Sequence, residues 1–162
     1  MSIQKLNLLN FKNLTQVEVE FSEGINCIVG NNGSGKTNLI DAIYYLSFCK
    51  SFINPIDSQN INFNSDHFML HANYLIDERD EEVACTLKKG QKKLFKRNKK
   101  DYERLSDHIG HFPLVVISPS DEELINGASE ERRRYMDSVI SQFDRHYLNA
   151  IIRYTRLVLQ RN

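Results

Sequence analysis

The sequence has few of the residues that mark secreted, disulfide-stabilised or membrane proteins. Its 162 residues include three prolines, three cysteines and no tryptophan. Cys27, Cys49 and Cys85 are odd in number and form no CxxC pair, which argues against a disulfide framework and a zinc site. No apolar run approaches the roughly 18 residues of a membrane-spanning helix, and the N-terminus lacks the pattern of a secretory signal. We therefore expect a cytoplasmic protein with reduced thiols and no membrane contact.

The chain also has no net charge, but its charged residues are unevenly distributed along the sequence. Twenty-one basic and twenty-one acidic residues cancel over the whole chain. Residues 77–82 nevertheless form an acidic patch, and residues 88–100, called the basic segment below, contain no acidic residue. The cations of the basic segment are Lys88, Lys89, Lys92, Lys93, Lys96, Arg97, Lys99 and Lys100. Because the local field decides what a surface attracts, global neutrality does not exclude a polyanionic partner.

The composition and the periodicity predict a mixed α/β domain. Hydrophobic residues make up 41% of the chain and charged residues 26%, which is typical of a globular protein. Alternating apolar residues predict half-buried strands at 17–21, 68–76 and 83–87. Two continuous apolar runs, 25–29 and 114–117, have the composition of strands buried on both faces of a sheet. The basic segment is predicted to form a hairpin that carries its lysines on the exposed face.

Helical spacing predicts one helix in the first third of the chain and three near its end. Asp41 is expected on the surface of the first. Asp121 can cap a short second helix that reaches Ile125, and Ser129 is the predicted N-cap of the third. The last helical pattern is still running at Asn162 without a terminating residue, so we expect the sequence to be part of a longer protein.

The most specific motif is a glycine-rich segment, called the phosphate loop below, that fits the pattern G-x-x-x-x-G-K-[ST]. Its positions are Gly30, Asn31, Asn32, Gly33, Ser34, Gly35, Lys36 and Thr37. In such a loop, glycines let backbone N–H groups converge on a phosphate, the lysine reaches the β- and γ-phosphates, and the hydroxyl holds Mg²⁺. The motif therefore predicts nucleotide binding, with Thr37 as the metal ligand. It leaves open whether the protein is a kinase, a GTPase or a motor-like ATPase.

Several stretches resemble a known family. Residues 6–13, 21–26 and 30–43 are similar to the start of an ABC-type ATPase head of the SMC class. Similarity to the RecF family of that class is found at residues 117–121, 124–127, 131–137, 147–148 and 159–162. The resemblance covers most of the chain and is weakest at residues 51–100.

The resemblance implies a fold and a mechanism. The fold would be the N-terminal half of an α/β P-loop NTPase head of ABC/SMC type, with residues 1–128 as its first lobe and residues 129–162 as the start of a helical arm. The family implies an ATP- and Mg²⁺-dependent homodimer that binds single-stranded or gapped DNA and acts with RecO and RecR. In such heads ATP lies between two subunits, one contributing the phosphate loop and the other a signature motif.

The sequence contains neither that signature motif nor a Walker-B strand, which would end in an acidic pair. The run 114–117 is followed by Ser118 and Pro119 instead. We therefore expect no catalytic residue in this chain and no meaningful ATP hydrolysis by the chain alone. Many ABC heads place a metal-contacting glutamine in the region that corresponds to residues 118–121, and the residue with that role here stays open.

Two groups of basic residues have competing interpretations. The basic segment is a candidate DNA contact, with Phe95 and Tyr102 as stacking partners for bases; the alternative is a solvated hairpin whose charges face water or acidic neighbours. The arginines at 132–134 lie in a first helical turn, where the helix dipole disfavours cations. They are therefore expected to contact DNA, a nucleotide, or a neighbouring acid such as Glu130 or Asp137.

Two other functions stay open. Another SMC-like ATPase, such as an overcoming-lysogenization-type nuclease or a defence ATPase, would share the phosphate loop and differ outside this sequence. A small-molecule P-loop kinase would need an arginine-bearing lid and an acceptor pocket within the chain, and it would not bind DNA.

Overall fold

The computed structural model describes residues 1–161, without the side chains of Ser120 and Glu123. The chain divides into two compact units, residues 1–108 and the residues from 109 onward. The predicted lobe boundary after residue 128 concerns a longer head and stays a prediction. The predicted continuation of the last helix at Asn162 lies outside the described residues. Within the described part of the chain, no helix is long and apolar enough to cross a membrane.

The first unit is built on an antiparallel sheet of six strands in the order β2-β1-β3-β4-β5-β6. The strands are β1 (Ser2–Phe11), β2 (Leu14–Glu20), β3 (His67–Ile76), β4 (Arg79–Lys88), β5 (Leu94–Arg97) and β6 (Lys100–Asp101). Each strand pairs with one that is near in sequence, except for β1 with β3. The strands predicted at 17–21, 68–76 and 83–87 correspond to β2, β3 and β4, and the predicted hairpin of the basic segment is formed by β5 and β6, so these predictions are confirmed.

The alternation of apolar and polar residues fixes the register of this sheet. Leu8 lies opposite Leu70, Leu70 opposite Cys85, and Cys85 opposite Phe95. All four side chains are buried, so they form one row across four strands. This row is the centre of the core of the first unit.

Helix α1 (Lys36–Phe48) covers this face of the sheet. Its Tyr45 is fully buried and meets Phe11 and Phe68 edge to face, with ring centroids 5.9 and 5.4 Å apart. Edge-to-face aromatic pairs add stabilisation beyond the burial of their area. The chain from 49 to 66 is irregular apart from a 3-10 turn at Asp57–Asn60.

The second unit contains three helices, α2 (Glu122–Asn126), α3 (Ser129–Phe143) and α4 (Arg145–Arg161), after a 3-10 turn at Pro119–Asp121. Helices α3 and α4 pack against each other. Asp144 lies directly before α4 and caps its N-terminus. Its Oδ1 accepts hydrogen bonds from the N–H groups of His146 and Tyr147 at 2.8 and 3.0 Å, which satisfies two donors at the start of the helix.

Ser129 is the first residue of α3, and Ala128 occupies the N-cap position. The predicted N-cap is therefore wrong by one residue. The Ser129 hydroxyl accepts a hydrogen bond from Arg133 Nη2 at 3.1 Å, and the helix start has no side-chain cap.

The two continuous apolar runs are not strands, so this part of the prediction is wrong. Ile25 and Val29 are 90% and 88% exposed, and Ile117 in the second run is 86% exposed. A strand needs a hydrogen-bonding neighbour for its backbone, and none of the strands in residues 1–161 pairs with either run.

One residue of the second run does find a partner for its backbone. Gln142 Oε1 accepts the Leu114 N–H at 2.8 Å, and Gln142 Nε2 donates to the Leu114 carbonyl at 3.2 Å. The side-chain amide thus pairs with both backbone groups of Leu114, as a neighbouring strand would. Gly110 allows the close approach on this side, because a Cβ atom there would lie 2.4 Å from the Gln142 carbonyl oxygen.

Candidate nucleotide-binding site

The phosphate loop leads into the first turn of α1. Gly33 and Gly35 have φ angles of 80° and 102°, left-handed values that residues with a Cβ atom rarely adopt. The Ser34 N–H donates to the Asn31 carbonyl at 3.2 Å, which closes a turn within the loop. The first five residues of the loop are exposed. Its backbone is therefore accessible to an anion from solution.

The start of α1 adds further N–H donors next to the loop. Every residue of α1 is described, and the helix has neither a side-chain cap nor an acidic residue in its first turn. The first N–H groups of a helix lack intrahelical acceptors, and the helix dipole gives this end a partial positive charge. A helix start of this kind after a glycine-rich loop favours the binding of phosphate.

Lys36 folds back over the phosphate loop. Its Nζ donates to the Gly30 carbonyl at 2.8 Å and to the Asn31 carbonyl at 2.7 Å. These contacts hold the ammonium group against the loop, where a phosphate would be a stronger, charged partner. Thr37, the second residue of α1, is exposed, so its hydroxyl is accessible as well.

The turn between β1 and β2 contacts the phosphate loop. Asn13 Nδ2 donates to the Gly33 carbonyl at 2.9 Å, and Asn13 Oδ1 accepts from Asn38 Nδ2 at 2.8 Å. A Cβ atom on Gly35 would lie 2.5 Å from Leu14 Cδ2, so the turn and the loop are in close contact. Sequence analysis did not identify Asn13, because a single asparagine in a turn forms no pattern.

Asp41 is fully buried, so its predicted position on the surface of α1 is wrong. Its Oδ2 lies 2.5 Å from Lys12 Nζ and accepts from Ser51 Oγ at 2.7 Å. Its Oδ1 accepts the Phe52 N–H at 2.8 Å. These partners compensate the charge, because a buried carboxylate without them would cost several kcal/mol. The helical spacing of four residues from Asp41 to the buried Tyr45 was the signal for an inward position.

The basic segment runs from the end of β4 through the hairpin of β5 and β6. Four of its cations pair with acids: Lys88 with Asp66, Lys93 with Asp57, Lys96 with Asp101, and Arg97 with Glu81. The four remaining cations are exposed, namely Lys89, Lys92, Lys99 and Lys100. The structure therefore divides the predicted DNA-contacting residues into four that form ion pairs and four exposed lysines, called the exposed half below, that form no ion pair among the described residues, although the paired Lys88 and Lys96 are also exposed.

Lys93 links three parts of the first unit. Its Nζ lies 2.7 Å from Asp57 Oδ2 and donates to the Cys49 carbonyl at 2.6 Å. Asp57 Oδ1 also accepts the Tyr45 hydroxyl at 2.6 Å. Burial raises the pKa of the Tyr45 phenol, so it stays protonated and remains a donor.

Phe95 is a core residue, so the prediction that it stacks on nucleic-acid bases is wrong. Its side chain is buried, and its ring lies at 7° to the plane of the Tyr45 ring, with centroids 6.3 Å apart. The alternation of the hairpin turns Phe95 inward while the neighbouring Lys96 is exposed. Tyr102 is also partly buried, with its ring edge-on to the ring of His108.

The arginines at 132–134 make local contacts in the second unit. Arg134 pairs with Glu130, which confirms one of the two predicted acidic partners. Arg132 donates to the Gly127 carbonyl at 2.9 Å, and this contact ties the end of α2 to the start of α3.

Residues 118–121, in which the sequence did not identify a metal-contacting residue, form a local turn. Asp121 Oδ2 accepts the Ser118 N–H at 2.5 Å, so one carboxylate oxygen is used within the turn. The side chain of Ser120 lies outside the described residues.

A glycine-rich loop, a lysine folded over it and an uncapped helix start together define a P-loop nucleotide-binding fold. The family model described as "AAA domain" matches residues 5–154, and the chain belongs to this family. The solved SMC head domain from Thermotoga maritima has the same fold, with a TM-score of 0.59 at 23% identity over 80% of this chain and 52% of that one. The predicted α/β fold of ABC/SMC type is confirmed.

Within this class, the sequence is similar to the DNA replication and repair protein RecF. The RecF of Phocaeicola vulgatus is 58% identical over the whole chain, which covers 44% of that protein. The RecF of Flavobacterium johnsoniae is 50% identical, with 45% of that protein covered. The predicted resemblance to the RecF family is confirmed. The chain spans less than half the length of these curated relatives.

Comparison with solved structures also finds similarity to RecF. A structure of the recombination mediator protein RecF-ATP in the RecFOR pathway matches 98% of this chain and 43% of that one, with a TM-score of 0.92 at 31% identity. The backbone described above is thus shared closely with a protein solved together with ATP.

Proposed function

We propose that this chain is the nucleotide-binding part of a RecF-type DNA repair and recombination protein that binds DNA in an ATP-dependent manner. The observation that carries the proposal is the phosphate loop, with its exposed backbone, its folded-back lysine and the uncapped start of α1. The similarity to a RecF solved with ATP supports ATP as the nucleotide.

In the proposed site, each part of the phosphate loop has a distinct task. The loop N–H groups and the start of α1 bind the phosphate oxygens, and Lys36 exchanges its contacts with the Gly30 and Asn31 carbonyls for contacts with the terminal phosphates. Mg²⁺, when bound, would supply positive charge next to the phosphates. Thr37 would hold it, and its exposed hydroxyl at the helix start fits one ligand position.

Most of the metal's ligands would come from the nucleotide and from water. Among the described residues, no group of three or more His, Cys, Asp or Glu side chains is placed to hold a metal. Mg²⁺ commonly keeps several waters and binds through few protein ligands when phosphates are present.

DNA would be bound by the exposed half of the basic segment. Lys89, Lys92, Lys99 and Lys100 are free to approach phosphates, whereas Lys93 and Arg97 are held by Asp57 and Glu81 at 2.7 and 2.8 Å. The DNA would be single-stranded or gapped duplex, and ATP would promote a homodimer of the complete head. RecO and RecR would be partners, in line with the RecFOR pathway of the solved relative.

The proposal is tested by measuring binding of fluorescently labelled gapped DNA to the chain at several salt concentrations. The affinity is expected to fall with salt, because each neutralised phosphate releases counterions. Replacing the four exposed lysines by glutamine is expected to flatten this dependence by about 0.9 in slope for each phosphate that the protein no longer neutralises. The matched control is Lys50→Gln, an exposed lysine outside the basic segment.

A salt dependence that is unchanged by the four substitutions would contradict the proposed DNA surface. Transfer of the γ-phosphate to a small molecule, without DNA binding, would support the kinase alternative instead.

A further inference from the structure

We propose that the β1–β2 turn is a positioning element for the phosphate loop, and that Asn13 is the positioning residue within it. The inference rests on the proposed nucleotide binding and adds to it a residue outside the motif. Asn13 would not bind the nucleotide itself. It would hold the loop in the shape that binds phosphate.

The contacts of Asn13 connect the two halves of the site. Its Nδ2 donates to the Gly33 carbonyl in the middle of the loop at 2.9 Å. Its Oδ1 accepts from Asn38 Nδ2, on the first turn of α1, at 2.8 Å. One side-chain amide therefore fixes the distance between the loop and the helix start, the two elements whose N–H groups must converge on one ligand.

The bond to Gly33 also sets the direction of an N–H group. In a planar trans peptide the carbonyl and the next N–H point in opposite directions. A fixed Gly33 carbonyl therefore helps to fix the Ser34 N–H, which lies in the same peptide unit and closes the loop turn by donating to the Asn31 carbonyl at 3.2 Å. Without Asn13, this peptide unit would be freer to rotate, because the glycine that begins it has little conformational preference.

The turn is itself held firmly, so it can act as a support. Lys12 has a φ angle of 53°, and its backbone is fixed on both sides by the chain around residue 60. Its N–H donates to the Asn60 carbonyl at 2.8 Å, and its carbonyl accepts from Asn62 Nδ2 at 2.6 Å. The Lys12 side chain pairs with Asp41, which is fully buried in α1.

The phosphate loop packs directly against the β1–β2 turn. A Cβ atom on Gly35 would lie 2.9 Å from Asn13 Oδ1, closer than such contacts occur. Glycine at position 35 thus meets two requirements: it adopts a left-handed φ of 102°, and it lets the turn approach closely. Loop and turn form one packed unit, and a loop that is supported in this way lowers the ordering cost of binding.

The first test measures the affinity of Mg-ATP for the chain by titration calorimetry. Asn13→Ala is expected to weaken binding about three- to tenfold, the effect of one hydrogen bond. Asn13→Asp keeps an acceptor for Asn38 but loses the donor to Gly33, so an equal or larger loss is expected. Thr15→Ala, at an exposed position of the same hairpin, is the matched control and is expected to bind as the unmodified chain does.

A positioning role predicts a dependence on Lys36 that a purely structural role would not show. In a Lys36→Ala background the phosphates are held less closely against the loop, so adding Asn13→Ala is expected to cause a smaller loss of affinity than it does in the unmodified chain. If Asn13→Asp binds ATP like the unmodified chain, or if the losses from Asn13→Ala and Lys36→Ala multiply, the inference is wrong.

The second test needs no nucleotide and therefore separates the inference from the proposed function. Hydrogen exchange of the Ser34 amide, which donates to the Asn31 carbonyl, is expected to become about three- to tenfold faster in Asn13→Ala, while exchange in the later turns of α1 stays unchanged. Unchanged exchange in the loop would overturn the inference. Failure of the unmodified chain to bind ATP, with the exchange effect present, would overturn the proposed function and leave the support of the loop demonstrated.

Discussion

The antiparallel sheet of the first unit and the two apolar runs at 25–29 and 114–117 look equally strand-like in sequence, yet only the sheet is formed. Leu70 in β3 has no exposed area, whereas Ile25 and Ile117 are 90% and 86% exposed. All three are large aliphatic residues in segments whose sequence predicts a strand. The difference between them is the presence of a neighbouring strand.

Most strands of the sheet obtain their neighbours locally. β1 pairs with β2, β3 with β4, and β4 with β5 across short connections, so each hairpin brings its own partner. The two apolar runs have the composition of central strands in a parallel sheet, which need partners from distant parts of a chain. Apolar composition therefore predicts that a segment can be a buried strand. Whether the segment is buried depends on the presence of a neighbouring strand.

The largest effect is expected in the packed region, at the pair that Lys12 forms with the fully buried Asp41 of α1. Lys12→Met leaves Asp41 buried without its cation, and removal of one partner of a buried pair costs about 3–5 kcal/mol of unfolding free energy. Urea denaturation measures this loss. The double variant Lys12→Met with Asp41→Leu is the control, because it removes both charges and is expected to recover most of the stability.

A matched pair of truncations compares the two regions directly. Leu70→Ala removes buried methyl groups and is expected to cost about 2–5 kcal/mol. Ile25→Ala removes a side chain that is 90% exposed and is expected to change the unfolding free energy by less than about 0.5 kcal/mol. If the two variants lost the same free energy of unfolding in urea denaturation, the run 25–29 would be packed, and the contrast between the sheet and this run would be wrong.

The smallest perturbation is chemical labelling of the cysteines, which leaves the fold intact. Cys27 lies in the exposed run 25–29, whereas Cys49 and Cys85 are buried. Burial raises the pKa of the Cys49 thiol to about 12 and that of Cys85 well above its usual range. Few reactive thiolates therefore exist at these two positions near pH 8.

Iodoacetamide followed by mass spectrometry is expected to modify Cys27 rapidly and the other two cysteines only after unfolding. Raising the pH from 8 to 9 is expected to leave Cys49 unmodified in the folded protein, because the pKa of its thiol is raised to about 12 by burial. Slow labelling of all three cysteines near pH 8 would mean that the run 25–29 is a covered strand.

Local patterns were sufficient to predict β2, β3, β4, the hairpin of the basic segment, the helix after the phosphate loop and the helical pair at the end of the chain. The alternation in 68–76 and 83–87 and the spacing of the phosphate loop depend only on near neighbours in sequence. Contacts between distant segments were not predictable in this way. The pairing of Lys12 with Asp41 spans 29 positions of the numbering, and no periodicity links them.

The basic segment shows the same limit within the candidate DNA surface. Its charge was evident from the sequence, but the division into paired and exposed lysines was not. Lys93 is held by Asp57, which lies in the irregular chain after α1, and Phe95 packs on Tyr45 from α1. Both partners come from elements whose placement depends on the folded sheet.

The central claim is that the phosphate loop binds the phosphates of ATP through Lys36 and the loop amides. Calorimetric titration of Mg-ATP into the chain and into its Lys36→Ala variant tests it most directly. The account predicts saturable binding to the unmodified chain and a loss of about 10- to 100-fold in the variant, as expected for hydrogen bonds from a charged donor. Equal affinity of the two proteins, or no binding to the unmodified chain, would contradict it.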